Sequence, residues 1–167
     1  MGNGERGCSD REGRAGDFIA PNCRCSGGGS WGVSLYIDSS ALLKRYVREK
    51  ESAHCERLLR ADPVWVTARH TWVEVQRNLA RLLEGADRTR LLKVFAADWK
   101  RMNVVEIDRE TCERAGDLAR TQPGVRTLDA LHLAAAQRVG GTTMAFVTYD
   151  IRQARAAREL GIEVLGA

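Results

Sequence analysis

Short apolar runs alternate with amphipathic stretches along the chain from residue 34 onward. Five runs have the length of buried strands and are bounded by polar or turn-forming residues. These runs lie at 34–37, 64–67, 104–107, 144–148 and 163–165. Strands that are separated by helices are typical of a parallel sheet covered on both faces. The pattern therefore predicts an α/β fold in three layers, with a short, mainly parallel central sheet flanked by helices.

Seven helices are predicted between these strands, where apolar residues recur at helical spacing. They cover about 39–46, 51–60, 68–84, 87–101, 109–121, 127–139 and 151–160. Ser39 and Ser40 favour the start of the first helix, because serine is a good N-cap. Several predicted helices end at glycine or proline, which stop helices for different steric reasons.

Residues 1–33 differ in composition from the rest of the chain. They hold nine of the 16 glycines, and they show no apolar periodicity. We therefore expect a disordered N-terminal tail at 1–33, followed by one folded domain at 34–167. A further hypothesis is that translation begins near Val33, so that the tail is not part of the working protein.

The charge of the chain belongs to the predicted domain. Within 1–33, Arg6, Arg11, Arg14 and Arg24 balance Glu5, Asp10, Glu12 and Asp17, so the net charge of +4 lies in 34–167. A basic domain favours a polyanion such as RNA as its partner.

Localisation is predicted from what the sequence does not contain. No apolar run has the roughly 18 residues of a membrane span, and the N-terminus lacks the apolar stretch of a secretory signal. We therefore expect a cytoplasmic protein whose five cysteines are reduced thiols. Cys23 and Cys25 form a Cys-x-Cys pair, but no further zinc ligands lie nearby in the sequence.

Four carboxylates occupy positions where such a fold collects ligands. Asp38 directly follows the first strand run, and Asp150 follows the end of the fourth. Ligands bind beyond the carboxyl ends of parallel strands, so both acids should lie at the same sheet edge. Glu74 lies within the third helix and Asp129 in the first turn of the sixth, each between apolar neighbours.

Carboxylates in apolar surroundings are costly unless they are paired or bind a metal. Hard cations such as Mg²⁺ and Mn²⁺ prefer carboxylate oxygens. Two such ions about 3.5–4 Å apart can activate a water and stabilise the leaving oxygen in phosphodiester cleavage, and one ion can support a slower version. The four acids together therefore predict a metal-dependent hydrolytic centre.

Each acid also has a purely structural alternative. Asp38, Asp129 and Asp150 could act as N-caps or as first-turn acids that favour the helix dipole. Glu74 could pair with Arg77 or Arg81 on its own helix. The combination of two acids at strand ends with two in apolar helix stretches favours metal binding over four separate structural roles.

Four segments around these acids resemble the motifs of the PIN family of nucleases. The segments read YIDSSAL at 36–42, WVEV at 72–75, TLDALHLA at 127–134 and FVTYD at 146–150. The resemblance runs in order through 34–167 and includes all four acids, and the third and fourth segments are the most specific. Within this family the chain resembles the bacterial VapC-type toxins of toxin–antitoxin pairs. The tail has no counterpart in the family.

The resemblance implies a PIN-like fold and an Mg²⁺- or Mn²⁺-dependent endoribonuclease that cuts RNA by metal-activated water. By this resemblance, the metal-binding and catalytic set is Asp38, Glu74, Asp129 and Asp150. Ser39 would lie beside the site, and Thr127 and Thr148 match polar motif positions. The family also implies a homodimer that a cognate VapB-type antitoxin silences by occupying the groove near the metals. A non-catalytic PIN scaffold that binds RNA or a protein partner is the alternative, although such scaffolds usually lose acids that this chain keeps.

Basic residues near the motifs are candidates for contacts with RNA phosphates. They are Lys44, Arg45, Arg77, Arg81 and Arg126, and each could equally belong to a solvated helix face. His132 is expected to pack within its helix rather than act as a base.

Two other enzyme classes are disfavoured. A haloacid-dehalogenase-like phosphatase needs a second aspartate where Ser40 stands, and a P-loop enzyme needs a glycine-rich lysine loop. The RNA target and the identity of the antitoxin are not encoded in any readable motif.

Overall fold

The computed structural model describes residues 35–140 and 144–167. The strands are β1 (Leu35–Ile37), β2 (Trp65–Ala68), β3 (Asn103–Val105), β4 (Ala145–Thr148) and β5 (Val164–Gly166). The helices are α1 (Ser39–Tyr46), α2 (Ser52–Ala61), α3 (Thr71–Leu82), α4 (Gly85–Trp99), α5 (Arg109–Thr121), α6 (Thr127–Val139) and α7 (Ile151–Glu159). The tail predicted at 1–33 lies outside the described residues and stays a prediction.

The five strands form one sheet in the order β3-β2-β1-β4-β5. Every neighbouring pair is parallel, and the central strand β1 pairs with β2 on one side and β4 on the other. Each parallel connection needs a crossover, which the intervening helices provide. Within the described residues, no helix has both the length and the apolar character that crossing a bilayer requires.

Helices cover both faces of the sheet, and β1 shows this division most clearly. Its alternate residues contribute to two separate cores, since successive strand side chains point to opposite faces. Leu35 and Ile37 belong to a core with residues of α1, α2, α3 and α4, whereas Tyr36 belongs to a core with α5, α6 and α7. The predicted α/β fold in three layers is therefore confirmed.

Aromatic side chains anchor both cores. Tyr36 stacks on Phe146 with ring centroids 5.1 Å apart. On the other face Phe95 is fully buried and contacts the rings of Trp72 and Trp99. These large apolar surfaces fix the sheet against its helices, so that strand ends and helix starts are held in place at one edge.

The start of α1 differs from the prediction. Asp38, not a serine, is the N-cap, and its side chain accepts a hydrogen bond from Ala41 N. The predicted serine cap is therefore wrong, because the carboxylate at the end of β1 already satisfies the free amide. Asp150 caps α7 in the same way.

The third helix also begins later than predicted. The strand β2 continues to Ala68, and Arg69 N then donates to Val105 O, which extends the contact with β3. His70 is the N-cap residue of α3. This later start places His70 and Glu74 one helical turn apart.

Candidate active site

A cleft of about 360 Å³ opens at the carboxyl ends of β1 and β4. It is lined by Asp38, Ser39, Ser40, Glu74, Arg126, Thr127, Leu128, Asp129, His132, Asp150 and Gln153. The structure thus brings together all four acids singled out in the sequence. It draws them from four elements, because two follow central strands and two lie on helices that begin at this edge.

Asp38 is the most deeply buried of the four acids, with 2% of its surface exposed. Its Oδ1 accepts hydrogen bonds from Ala41 N at 2.9 Å and Ser40 Oγ at 2.8 Å. Its Oδ2 accepts from Thr148 Oγ1 at 2.8 Å. Burial raises the pKa of Asp38 above its ordinary value, and these hydrogen bonds oppose that rise only in part.

The hydrogen bonds of Asp38 still leave room for a cation. Ser40 lies within reach of both carboxylate oxygens but has one hydroxyl hydrogen to give. Ser40, Ala41 N and Thr148 therefore supply three donors. An ionised carboxylate has about four lone-pair positions, so one position stays open. Thr148 Oγ1 also lies 3.1 Å from Gln153 Oε1, to which it can donate instead.

Asp129 and Asp150 add two further negative charges to the cleft. Asp129 accepts a hydrogen bond from Arg126 N at 3.2 Å, and Asp150 accepts one from Arg152 N at 2.8 Å. Burial raises the pKa of Asp129, and the neighbouring Asp150 raises it further. These two carboxylates therefore repel each other in the absence of a cation.

Glu74 belongs to a buried chain of polar groups that sequence analysis missed. Its Oε2 lies 2.9 Å from His132 Nε2, and His132 Nδ1 lies 3.0 Å from Tyr36 Oη. Because an ionised carboxylate only accepts, His132 Nε2–H donates to Glu74. Nδ1 accepts from the Tyr36 hydroxyl when the ring is neutral and donates to it when the ring is charged. Burial alone would raise the pKa of Glu74, but the hydrogen bond and charge of His132 outweigh it and lower the pKa.

His132 is buried, as its packing prediction requires, but it also orients Glu74 toward the cleft. The predicted alternative, in which Glu74 pairs with Arg77 or Arg81, does not occur. Arg81 instead donates to Asn78 on the same helix. One feature of the sequence indicated that His132 lies near the site. Asp129 and His132 are three residues apart on the same helix, so their side chains lie on the same face.

His70 lies next to this network at the start of α3. Its Nε2 is 3.8 Å from Glu74 Oε2, and its ring centroid is 4.1 Å from that of His132. Within the described part of the chain, neither of its buried ring nitrogens makes a hydrogen bond of good geometry, and the Leu128 backbone offers only a weak contact. Burial lowers the pKa of His70 to about 4, and the neighbouring His132 adds to this, so the ring is neutral at pH 7. The spacing of four residues between His70 and Glu74 was the signal in the sequence.

The other predicted polar residues have separate positions. Ser39 and Thr127 line the cleft. Thr148 is fully buried, and its hydroxyl donates a hydrogen bond to Asp38. Ser40, which was not a predicted site residue, joins both strand ends by accepting from Tyr149 N while it donates to Asp38.

The five candidate RNA-binding residues are not equivalent. Arg126 lines the cleft, and Arg77 and Arg81 are exposed on α3. Lys44 is nearly buried, 2.6 Å from Glu49 and 3.0 Å from Glu51. Arg45 is held 2.9 Å from Asp98. The acids that surround Lys44 and Arg45 leave Arg126, Arg77 and Arg81 better placed for phosphate contacts.

The residues of the cleft fit a hard divalent cation. Four carboxylates offer oxygen ligands, and burial raises the pKa of Asp38 and Asp129, so their ionised forms would gain from a cation nearby. Arg126 is the one basic side chain among the residues that line this cleft. A cation held between the acids would restore the balance, as it does in oxygen-ligated magnesium sites.

Comparisons with known proteins identify the family of the chain. Residues 35–159 match the family model described as the PIN domain. Ribonuclease VapC46 of Mycobacterium tuberculosis is 36% identical over 133 residues, which cover 80% of this chain and 97% of that protein. The crystal structure of VapC20 from the same organism, described as a Sarcin-Ricin loop cleaving toxin, superposes with a TM-score of 0.62 at 16% identity, covering 74% of this chain and 95% of that one.

A DNA-bound VapBC complex from Salmonella typhimurium contains a chain of the same fold. It gives a TM-score of 0.57 at 16% identity and covers 80% of this chain and 97% of that one. The resemblance predicted from the four motifs is confirmed by the family model and by the VapC relatives. The chain therefore belongs to the PIN domain family and is similar to its VapC-type ribonucleases.

Proposed function

We propose that this chain is the ribonuclease toxin of a VapBC-type toxin–antitoxin pair. It hydrolyses RNA phosphodiester bonds with Mg²⁺ or Mn²⁺ held by Asp38, Glu74, Asp129 and Asp150. The observation that carries the proposal is the convergence of these acids in one cleft at the sheet edge. The similarity to proteins named Ribonuclease VapC supports RNA as the substrate.

The four acids have different tasks in this proposal. Asp38 and Asp150, which stand at the ends of adjacent strands, would hold the cation together with Asp129. Glu74, held by His132, ligates the cation or orients the attacking water. When bound, the divalent cation lowers the pKa of a water and stabilises charge on the phosphate. Thr148, which is fully buried, and Ser40, which lines the cleft, keep Asp38 in position through hydrogen bonds.

Arg126 is the proposed phosphate anchor, because it is the basic residue that lines the cleft. Arg77 and Arg81 extend the contact along α3. Phosphate contacts of this kind position the RNA without reading its sequence.

An antitoxin of VapB type is the proposed protein partner, supported by structural neighbours that are VapBC complexes. Such a partner would contact exposed apolar side chains, and two of these stand next to the acids in the sequence. Val73 is 65% exposed and Ile151 is 79% exposed, and they adjoin Glu74 and Asp150 in sequence. The proposal also includes a homodimer that acts in the cytoplasm.

The proposal is tested by inducing the chain in bacteria and mapping new 5′ ends of cellular RNAs. Wild type should arrest growth and create discrete new RNA ends. Co-expression of the cognate antitoxin should relieve the arrest. Asp38→Asn should accumulate as a folded protein, without growth arrest and without new RNA ends. New RNA ends that are identical for wild type and Asp38→Asn would refute the proposed centre. If wild type is expressed at a high level without harm to the cells, the toxin hypothesis is refuted and a non-catalytic scaffold is favoured.

A further inference from the structure

Three side chains beside the acidic cleft form a donor set of a different chemical kind. His70, Glu74 and His132 each offer one ligand atom, and these three atoms lie within 4.8 Å of one another. Two are imidazole nitrogens and one is a carboxylate oxygen. Imidazole suits zinc and its neighbours, whereas Mg²⁺ prefers oxygen ligands alone.

The distances suit a tetrahedral ion. Zinc binds histidine nitrogen and carboxylate oxygen at about 2.0–2.2 Å, which places neighbouring tetrahedral ligands about 3.3 Å apart. His132 Nε2 lies 2.9 Å from Glu74 Oε2, and His70 Nε2 lies 3.8 Å from the same oxygen. The two separations from the carboxylate oxygen bracket the value for zinc. The two imidazole donor atoms lie within 4.8 Å of each other, so one ion between them would draw the rings closer together.

His70 is the residue that points to a ligand here. Its side chain is 12% exposed, and neither buried ring nitrogen makes a hydrogen bond of good geometry among the described residues, although the Leu128 backbone lies close enough to interact with the ring. A buried polar group that is left unpaired costs free energy, and such groups mark sites where an ion or a water belongs.

Tyr36 supplies the support that metal-binding histidines usually have. Its hydroxyl lies 3.0 Å from His132 Nδ1, on the side of the ring away from Glu74. When a metal takes the Nε2 lone pair, the imidazole proton moves to Nδ1, and the tyrosine oxygen accepts it. Such second contacts fix the ring and raise the affinity of the ligand.

We propose that His70, Glu74 and His132 form a second metal site, selective for Zn²⁺ over Mg²⁺, whose occupation removes Glu74 from the acidic cleft. Zn²⁺ then inhibits RNA cleavage that Mg²⁺ supports. The binding site stands on the three side chains alone, while its inhibitory effect rests on the proposed function.

Binding is measured without RNA, by calorimetric titration of the metal-free full chain with Zn²⁺ and by the absorption spectrum of bound Co²⁺. His70→Phe is the informative variant, because phenylalanine keeps a planar ring at this position and removes both nitrogens, at the loss of no more than a weak contact with the Leu128 backbone. It should weaken Zn²⁺ binding by at least about tenfold, since even loss of a supporting contact costs 10–100-fold. His132→Asn should weaken it as well, and circular dichroism checks that both variants fold.

Controls separate this site from the other zinc ligands of the chain. His54→Phe changes the remaining histidine, which is exposed and bound to Tyr149, and should leave the affinity unchanged. The double variant Cys23→Ser, Cys25→Ser removes the Cys-x-Cys pair. The Co²⁺ spectrum of this variant should show no thiolate charge-transfer band. Unchanged Zn²⁺ affinity in both His70→Phe and His132→Asn would overturn the site.

The inhibitory role has its own readout. Zn²⁺ should inhibit Mg²⁺-supported RNA cleavage by wild type, and His70→Phe should retain cleavage at Zn²⁺ concentrations that silence wild type. Equal inhibition of the two proteins would overturn the regulatory role. If Zn²⁺ binds as described but no divalent cation supports RNA cleavage, the proposed ribonuclease fails and the metal site stands.

Discussion

The double role of Asp38 gives the sharpest prediction, because the residue is both the N-cap of α1 and the most buried acid of the cleft. Asparagine caps a helix as well as aspartate does, whereas alanine does not. Substitutions can therefore separate the cap from the charge. Asp38→Asn should abolish RNA cleavage with little loss of stability, and Asp38→Ala should lose both.

The expected cost of Asp38→Ala follows from the contacts of the carboxylate. Losing the cap costs about 1 kcal/mol, and the range is about 0.5–2 kcal/mol. Hydrogen bonds to a charged group are worth about 1.5–3 kcal/mol each, and Ser40 and Thr148 both donate to this one. Thr148 can turn to Gln153 Oε1, and removal of a buried charge offsets part of the loss. We therefore expect Asp38→Ala to lower the free energy of unfolding by about 2–4 kcal/mol.

Asp38→Asn should cost less than about 1 kcal/mol, because its carbonyl oxygen still accepts from Ala41 N. Its new amide hydrogens face hydroxyl oxygens that can accept them. Urea unfolding followed by tryptophan fluorescence in EDTA gives both free energies, and RNA cleavage in Mg²⁺ gives the activities. Activity in Asp38→Asn would show that capping alone explains this residue. A loss of stability in Asp38→Asn as large as in Asp38→Ala would show that the fold depends on the charge itself.

Four further predictions follow from other contacts. Thr148→Val removes a fully buried hydroxyl that donates to Asp38, and should cost about 1–3 kcal/mol in urea unfolding. Asp129→Asn removes a carboxylate whose pKa is raised by burial and by Asp150, so in EDTA it should unfold at or above the temperature of wild type and gain less from Mg²⁺. The hydrogen bond from Thr111 N and the contact with Arg138 lower the pKa of Asp108 from 3.8 to about 2. Ionised Asp108 therefore stabilises the fold above pH 4, and this contribution to the free energy of unfolding is lost as the pH falls toward 2. Arg138→Gln should reduce that loss of stability, as measured by urea unfolding at a series of pH values. Ile151→Asp should weaken antitoxin binding in calorimetry while the melting temperature stays unchanged, because the side chain is 79% exposed.

Much of the fold was predictable because its signals are local. The helices α5 and α6 have the predicted bounds of 109–121 and 127–139, since turn-forming residues stand at their ends. Apolar runs marked every strand to within two residues. The order of the strands was not predicted, because it depends on which crossovers pack together and not on any one segment.

The candidate site was predictable in part for the same reason. The acids stood out because strand ends and apolar helix stretches can be recognised in the sequence. The chain from Tyr36 through His132 to Glu74 joins residues 96 and 58 positions apart, and no local pattern encodes such a contact. Likewise, Lys44 looked like a free cation near the first motif, whereas the fold surrounds it with Glu49 and Glu51.

The central proposal is that four converging carboxylates hold a divalent cation that cleaves RNA. Its most direct test is a cleavage assay with the purified, EDTA-treated chain and a mixed single-stranded RNA substrate. Addition of Mg²⁺ or Mn²⁺ should restore cleavage in wild type and not in Asp150→Asn, whose fold and cap are preserved. Cleavage that persists in excess EDTA, or that is equal in Asp150→Asn, would contradict the proposed centre.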